Sequence, residues 1–333
     1  MELLQIEESA TSVEFLIPEI ISEIEIIPTA SPFIEANTVS GTLTEIKRSH
    51  IIPVFIKDNE PVIAQSEFVE TALAAAMDIF RAEVVLKPSI RLSHPIKGRV
   101  PEAKLKPAIE LLEHEKTIYY ERMAFVIEIP SIYTEIGGNR LNLTVGGVKA
   151  YNLDNLYNKS GADQHFKIFI GFQNKVCTNL CISTDGIQAS LKVKNSSMLK
   201  SSIRGLIQDF NAVEFAANLK DLNNYELTEQ QFAQFIGRCR MYKYLPESLQ
   251  AEIPLLSFGE NQVNSVCQDY YQDKTFCRNE DGNINLWNLY NLFTGANKSS
   301  YIDSFLDRSV NAYQLANVLK SAVQNKSSCW YLG

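Results

Sequence analysis

The chain has 333 residues, of which 45% are hydrophobic and 21% are charged, the balance of a soluble globular protein with enough apolar material for a core. Its apolar runs are strand-sized, and none approaches the roughly 20 residues that a membrane-spanning helix needs. The N-terminal sequence MELLQIEES lacks the basic segment of a secretory signal, and the six cysteines have no framework spacing. We therefore expect a cytoplasmic protein with reduced thiols and no membrane contact.

The net charge of -8 is concentrated at the N-terminus. Residues 1–46 contain nine glutamates and no lysine or arginine, so the other residues hold 30 acidic against 31 basic side chains. Prolines interrupt the alternation of glutamate with isoleucine in this segment, which argues against a long helix. We interpret residues 1–41 as an acidic arm that adds an edge strand or becomes ordered on docking, and that is a candidate for binding a protein partner.

Residues 42–196 carry the patterns of an α+β sheet domain. Apolar runs on both sides of 57–60 predict a hairpin, and helical spacing after Ser66 as N-cap predicts a helix over 66–80. A short helix is expected over 106–116, with proline in its first turn. Strands are predicted over 83–86, 117–132, 139–152 and 165–183. The last three are rich in β-branched and aromatic residues and are punctuated by Gly137-Gly138 and Gly146-Gly147.

After about residue 196 the apolar residues recur at helical spacing, so residues 197–333 are interpreted as a helical domain. Thr228 followed three residues later by Gln231 has the pattern of a capping box. Further helices are expected around 247–272, 284–294 and 300–323. The sequence therefore predicts an α+β fold, in which a mixed, largely antiparallel sheet in the N-terminal half has a helical C-terminal part packed on it.

The stretch INLWNLYNLFTGANKSS predicts a helix that is apolar on most sides and carries a stripe of asparagines. Because such a helix belongs in a core, we expect Asn288 and Asn291 to be mostly buried and hydrogen-bonded. Gly295 is at the position where a left-handed residue ends many helices. Ser300, three residues before Asp303, resembles a capping-box start for the next helix.

Asn297 and Lys298 follow this helix and admit two interpretations. The segment is explained structurally as the end of one helix, a loop and the start of the next. Alternatively, Asn297 and Lys298 project from a tight loop beside a helix N-terminus, which favours anions. Together with Asn288 and Asn291 they form a candidate polar loop for a phosphate or an acidic partner.

The sequence contains no phosphate-binding or dinucleotide-binding glycine motif, no nucleophile elbow and no zinc-protease helix motif. Glu110 and His114 would share one face of a helix as a metal pair, although a solvated polar face is the simpler interpretation. We therefore expect no metal site and no cofactor. An enzymatic activity stays open, and a protein without one is favoured.

The cysteines also admit a structural and a chemical interpretation. Cys177 and Cys181 would share one face of a strand, as small core residues or as a redox or metal pair. Cys239 lies between Arg238 and Arg240, which would lower the pKa of its thiol if all three were exposed and close.

The most basic segment is KPSIRLSHPIKGRVPEAKLK, residues 87–106. Its three prolines are expected to keep it extended or turned, and a basic extended loop can follow a phosphate backbone. The alternative is a solvated loop. The candidate nucleic-acid-binding residues are Lys87, Arg91, Lys97, Arg99, Lys104 and Lys106.

Several longer phrases resemble a known family, among them HIIPVFIKDNE, LNLTVGGVKAYNLDNLY, QFIGRCRMYKYLP and INLWNLYNLFTGANKSSYIDSFLDRSVNA. Over roughly residues 45–315 the chain resembles the Bacteroidetes family of domain of unknown function 3871. The phrases GFQNKVCTNLC and LWNLYNLFT are distantly similar to the phage- and plasmid-like family of domain of unknown function 932. The resemblance implies an association with conjugative or phage-derived elements, and it supplies no catalytic residues.

Two functions remain open from the sequence. The first is a mobile-element-associated protein that binds DNA or RNA as an accessory factor, handling single strands. The second is a protein-interaction or regulatory module without nucleic acid, to which the acidic arm points.

Overall fold

The computed structural model describes residues 32–49, 63–103, 105–154 and 163–333. The hairpin predicted around 57–60 and most of the acidic arm lie outside these ranges. The strands are β1 Thr38–Gly41, β2 Ser89–Ser93, β3 Pro95–Arg99, β4 Lys116–Tyr120, β5 Arg122–Ile136, β6 Asn139–Ala150, β7 Gln164–Asn174, β8 Leu180–Cys181, β9 Ile187–Val193, β10 Glu226–Leu227 and β11 Ile284–Asn285.

The described helices are α1 Leu43–Ser49, α2 Gln65–Ile79, α3 Ser196–Asp209, α4 Ala212–Asp221, α5 Glu229–Tyr242, α6 Glu247–Glu252, α7 Glu260–Gln272, α8 Leu286–Ala296 and α9 Ile302–Asn325. All of them except α1 and α2 come from the C-terminal part of the chain.

The strands of the N-terminal half form one seven-stranded sheet and a separate ribbon. The sheet order is β1-β2-β5-β6-β7-β8, and β9 also pairs with β7. Strands β3 and β4 form the two-stranded ribbon, and β10 pairs with β11. Every pairing among the described strands is antiparallel. The expected α+β architecture, with its sheet in the N-terminal half and helices in the C-terminal part, is confirmed.

Side chains alternate between the two faces of the sheet, and both faces bury apolar residues. On the first face, Phe125, Leu143 and Ile168 belong to a cluster that includes α2 and the C-terminal helices. On the second face, β5, β6 and β7 contribute to a smaller cluster with Phe305 of α9 and with Phe33 from the end of the arm. Truncating a buried phenylalanine such as Phe305 to alanine costs about 3–5 kcal/mol, so α9 is a principal cover of the second face.

The glycine pairs have different roles. Gly137 and Gly138 have φ of 56° and 75°, and they form the predicted turn because glycine adopts positive φ without a steric cost. Gly146 and Gly147 lie within β6, inside the strand predicted over 139–152. A Cβ atom at Gly146 would lie 2.2 Å from the carbonyl oxygen of Phe125. This pair therefore permits close packing inside the sheet.

The predicted starts of two helices have different outcomes. The capping box is confirmed, since the Gln231 amide donates to the Thr228 hydroxyl oxygen at 3.2 Å. The N-cap predicted at Ser66 is wrong, because α2 begins at Gln65 after Ala64, which makes no side-chain cap.

Two other predicted elements differ in the structure. Residues 83–86 are not a strand. Of their backbone amides, that of Leu86 bonds to β5, at the Glu128 carbonyl oxygen. The pairing does not continue directly into β2, because Pro88 has no amide hydrogen to donate. The helix predicted over 106–116 is replaced by two 3₁₀ turns, Ala108–Glu110 and Glu113–Glu115. The Glu115 carboxylate accepts the Leu112 amide at 2.9 Å, which starts the second turn separately.

Candidate functional site

The basic segment is not the single extended loop predicted for residues 87–106, because half of it pairs as β2 and β3. Lys87 precedes β2 and is exposed. Arg91 lies on β2, where its guanidinium donates to Ser40 Oγ at 2.7 Å and to the Thr38 carbonyl oxygen at 2.8 Å. Burial lowers the pKa of Arg91, and the charge of Glu35 opposes this shift. Arg91 therefore holds the end of the arm onto the sheet.

The remaining candidate cations belong to the ribbon or to its connection. Arg99 donates to the carbonyl oxygen of Lys106, and Lys106 forms an ion pair with Glu115. Lys97 lies on β3, but its side chain is outside the described part, as is all of Lys104. The structure therefore separates Lys87 and Arg91, on the main sheet, from the cations of the ribbon.

The asparagine stripe of α8 is buried in part. Asn291 is 1% exposed and its Nδ2 donates to the Trp287 carbonyl oxygen at 2.9 Å, which confirms the expected burial. Asn288 is less completely buried than Asn291, and its Nδ2 donates to the Cys277 carbonyl oxygen at 3.2 Å. Both asparagines are thus mostly buried and hydrogen-bonded, as expected.

Asn297 does not project into solvent, and that expectation is wrong. Gly295 is helical, and α8 continues into a 3₁₀ turn over Asn297–Ser299. In the Asn297 side chain, Nδ2 donates to the Phe305 carbonyl oxygen at 2.9 Å, and Oδ1 accepts from the Ser300 hydroxyl at 2.6 Å. Because the Ser300 hydroxyl is used in this way, the predicted capping box at Ser300 does not form, and α9 begins after Tyr301.

Lys298 is also buried, contrary to the expectation of a projecting cation. Its Nζ donates to the Cys177 carbonyl oxygen, and its own carbonyl oxygen accepts the amides of Glu35 at 2.9 Å and Ala36 at 3.2 Å. Burial lowers the pKa of Lys298, against the charges of Cys177 and Glu35. Asn297 and Lys298 therefore join the turn after β7 and the arm to the helices, and neither presents an open anion site.

A β-bulge in β5 creates a polar area that the sequence did not predict. Residue Ile129 pairs with Leu143, and the next pair is Tyr133 with Asn142, so β5 carries extra residues at this point. The bulge shifts the alternation of side chains, which places Tyr133 on the second face beyond the part covered by α9. Tyr133 is 52% exposed, and the Arg140 guanidinium carbon lies 3.9 Å from its ring centroid.

A hydrogen-bonded network supports this area. Arg140 Nε donates to Asn142 Oδ1 at 3.0 Å, and Asn142 Nδ2 donates to Glu128 Oε1 at 2.6 Å. The Glu128 carboxylate also accepts from Lys175 Nζ at 2.9 Å. Arg140 also donates to the Pro130 carbonyl oxygen at 2.7 Å, so the bulge itself fixes the guanidinium. The network holds Arg140 and Lys175 at one end of the sheet.

Beside this network lies a cleft of about 280 Å³, which we call the polar cleft. Lys87 and Lys175 both line it, with Gln173 from β7 and Pro32 at the end of the arm. Thr178, in the turn that also lines the cleft, has a φ of 58°. A β-branched residue rarely adopts this conformation, and such strain occurs often at functional sites.

The polar cleft has the chemistry of a site for phosphorylated ligands. The ammonium groups of Lys87 and Lys175, the second of which is shared with the lining carboxylate of Glu128, attract phosphate oxygens. The exposed Tyr133 ring beside the cleft offers a surface on which a base can stack. The Arg140 guanidinium covers one face of that ring and adds a cation whose orientation is already fixed. Of these residues, the sequence analysis had selected only Lys87. A signal for the rest was Pro130 inside a strand pattern, which is typical of a bulge or an edge.

A second polar cluster was also missed. Lys149 is fully buried on the first face of the sheet, with its Nζ 2.6 Å from Asp154 Oδ2 and 4.2 Å from the ring centroid of Phe166. Burial lowers the pKa of Lys149, against the charge of Asp154. Asp154 Oδ1 accepts the His165 amide at 2.8 Å, so this ion pair joins the ends of β6 and β7. Since Lys149 is inaccessible to solvent, we assign it a structural role.

The cysteines are free, and burial raises the pKa of the Cys177, Cys181 and Cys239 thiols. The lowered thiol pKa considered for Cys239 is therefore wrong, because the side chain faces the core rather than its two arginine neighbours. Cys177 lies in a turn and not on the strand of Cys181. In the described residues, no group of three or more His, Cys, Asp and Glu side chains is arranged to hold a metal ion.

Across the ranges that the structure describes, every helix is too short or too polar to cross a membrane.

The fold and the cleft define an α+β protein whose sheet is covered by a helix over one part of its second face and is polar over the other. Residues 16–332 match the family described as "Domain of unknown function, B. Theta Gene description (DUF3871)", and the protein belongs to this family. The match begins within the acidic arm and thus extends the resemblance beyond 45–315. No curated protein and no solved structure matches the chain.

Proposed function

We propose that the protein is a nucleic-acid-binding accessory factor of a mobile genetic element, and that the polar cleft binds a single strand. The observation that supports this most is that Lys87 and Lys175 line one cleft, and that the Lys175 amide donates to the carbonyl oxygen of Arg140 at 2.9 Å, which places the Arg140–Tyr133 stack beside it. The association with a mobile element rests on the distant similarity of GFQNKVCTNLC and LWNLYNLFT to the phage- and plasmid-like family.

In this proposal the two lysines bind successive phosphates and Tyr133 stacks on a base. The lysines provide affinity without sequence preference, because phosphates are the same at every position. A single strand exposes the faces of its bases, whereas a duplex covers them by stacking and pairing. The site should therefore prefer single strands, with little selection among sequences.

The test compares fluorescence anisotropy of a labelled single strand and of its duplex, bound to the full chain at several salt concentrations. Replacing Lys87 and Lys175 together with alanine should weaken binding and reduce the slope of log K against log salt by about 1.4, since each phosphate contact contributes about 0.7 for a single strand. The matched control replaces Lys220 and Lys274, two exposed lysines of the C-terminal part. Equal losses in both double variants would refute the site.

The alternative, a protein-interaction module, has one observation in its favour. Leu105 and Ile109, in the connection of the β3–β4 ribbon, are each 94% exposed, and exposed apolar groups are common at protein interfaces. If the full chain binds neither the single strand nor the duplex at low salt, the nucleic-acid proposal fails. The alternative then predicts that replacing Leu105 and Ile109 with serine reduces self-association in sedimentation experiments.

A further inference from the structure

The described chain starts at the polar cleft. Pro32 and Phe33 line the cleft together with Lys87 and Lys175. Phe33 is buried, and its ring centroid lies 6.1 Å from that of Phe305 on α9. This packing fixes the point at which residues 1–31 join the sheet. Residues 1–31 lie outside the described ranges and are joined covalently to Pro32, a residue that lines the cleft.

The tethered segment carries charge opposite to that of the cleft. Lys87 and Lys175 line the cleft and Arg140 lies beside it, while Glu128 is engaged by Lys175 and Asn142. Residues 1–31 contain no lysine or arginine and seven glutamates, which are Glu2, Glu7, Glu8, Glu14, Glu19, Glu23 and Glu25. Opposite potentials of this kind attract, and the attraction is strongest where water is partly excluded.

The described end of the arm already binds the body through backbone hydrogen bonds, and Glu35 lies within the electrostatic range of two body cations. Backbone amides of Glu35 and Ala36 donate to the carbonyl oxygen of Lys298, at 2.9 and 3.2 Å. The charge of Glu35 acts on both Arg91 and Lys298, where it opposes the effect of burial on the pKa of each. Strand β1 then pairs with β2. Glu35 thus acts electrostatically on two body cations, two residues after Phe33, which lines the cleft.

We infer that residues 1–31 bind in the polar cleft of the same chain, where their glutamates pair with Lys87 and Lys175. The docking stands on the cleft and the charges alone. Its regulatory consequence rests on the proposed function: the arm and a nucleic acid then compete for the same two lysines.

Tethering makes even a weak contact effective. A short flexible tether gives an effective concentration on the order of 1 mM. With an intrinsic dissociation constant of roughly 0.1 mM, the arm would then occupy the cleft for about 90% of the time. A lysine that is covered for that share of the time reacts about tenfold more slowly than a free one.

The test measures acetylation rates of individual lysines in the full chain by mass spectrometry, without nucleic acid. The wild-type chain is compared with a variant that carries Glu→Gln at all seven arm positions. Lys87 and Lys175 should react five- to tenfold faster in the variant, on the order of the tenfold protection expected from tethering. Lys220 and Lys274 are the internal controls and should react equally in both chains. Lys149, which is 0% exposed, should stay unreactive in both, which shows that the variant is folded.

Unchanged rates at Lys87 and Lys175 would overturn the inference. Protection that disappears on dilution of the wild-type chain would also overturn it, because the occupant would then be the arm of a second copy. A rise in single-strand affinity of the variant without a change in acetylation would refute competition in favour of general repulsion. A change in acetylation without any binding of nucleic acid would support the docking while the proposed function fails.

Discussion

Replacing Tyr133 with leucine tests the role of the stacking surface. Leucine keeps an apolar side chain at the β-bulge but removes the aromatic face. Tyr133 is 52% exposed, and its partner Arg140 is held by Asn142 at 3.0 Å and by the Pro130 carbonyl oxygen at 2.7 Å. Only the cation–π contact at 3.9 Å is lost from the folded protein. An exposed contact of this type is worth about 0.5–1 kcal/mol, so the variant should fold.

The expected loss is larger for binding than for stability. Stacking of one base on an aromatic side chain contributes about 1–3 kcal/mol, which corresponds to roughly a 5- to 150-fold weaker affinity for a single strand. The effect on duplex binding should be small, because stacked and paired bases do not reach the ring. The ratio of single-strand to duplex affinity should therefore fall in the variant.

The assay is anisotropy with a labelled single strand and its duplex, at one low salt concentration. The matched control is Tyr244→Leu, since Tyr244 is 77% exposed and has Lys243 Nζ at 4.8 Å from its ring centroid. It is thus also a cation-bearing exposed tyrosine, but it is remote in sequence from the cleft. The reasoning is refuted if Tyr133→Leu changes the affinity no more than Tyr244→Leu does.

Gly146→Ala should destabilise the fold by about 3 kcal/mol in a denaturant titration, the upper end for overpacking, because the new Cβ would lie 2.2 Å from a carbonyl oxygen; a loss below 1 kcal/mol would contradict the packing described. Gly205→Ala, in open space on α3, should instead stabilise it by about 0.5–1 kcal/mol, and a loss would refute this. Thr228→Ala should cost about 1 kcal/mol through the capping box, and no change would show that the cap contributes nothing. Burial lowers the pKa of Lys149, so the free energy of unfolding should rise as pH increases from neutral towards the usual lysine pKa. This rise should be absent in Lys149→Met when unfolding free energies are compared near neutral and alkaline pH, and identical pH profiles would exclude the mechanism.

Local patterns in the sequence predicted the architecture well. The β-branched runs became β5, β6 and β7, and the glycine pair at 137–138 became their turn, because these signals depend on neighbouring residues alone. The capping box at Thr228 is local in the same sense. By contrast, Gly146 is explained by a backbone oxygen of another strand, and no local pattern reveals such a neighbour.

The site was less predictable than the fold. The basic segment 87–106 was judged by charge and proline content, but Arg91 is engaged by the arm, Lys87 lines the polar cleft, and Lys97 and Arg99 belong to the ribbon. Asn297 and Lys298 were expected to be exposed, because a glycine near the end of a helix commonly stops it, whereas here the helix continues and buries both. Tyr133 stacks on Arg140, and Arg140 accepts the Lys175 amide, only because of the bulge in β5 and the pairing of distant strands.

The central claim, that the polar cleft binds a single strand, is tested most directly by photo-crosslinking a halogenated single strand to the full chain and identifying the attached peptides by mass spectrometry. The account predicts attachment within residues 128–142 and 173–178, which contain Tyr133, Arg140 and Lys175, and loss of that attachment when unlabelled single strand is added in excess. Attachment confined to the ribbon segment 95–120, with none around the cleft, would contradict it.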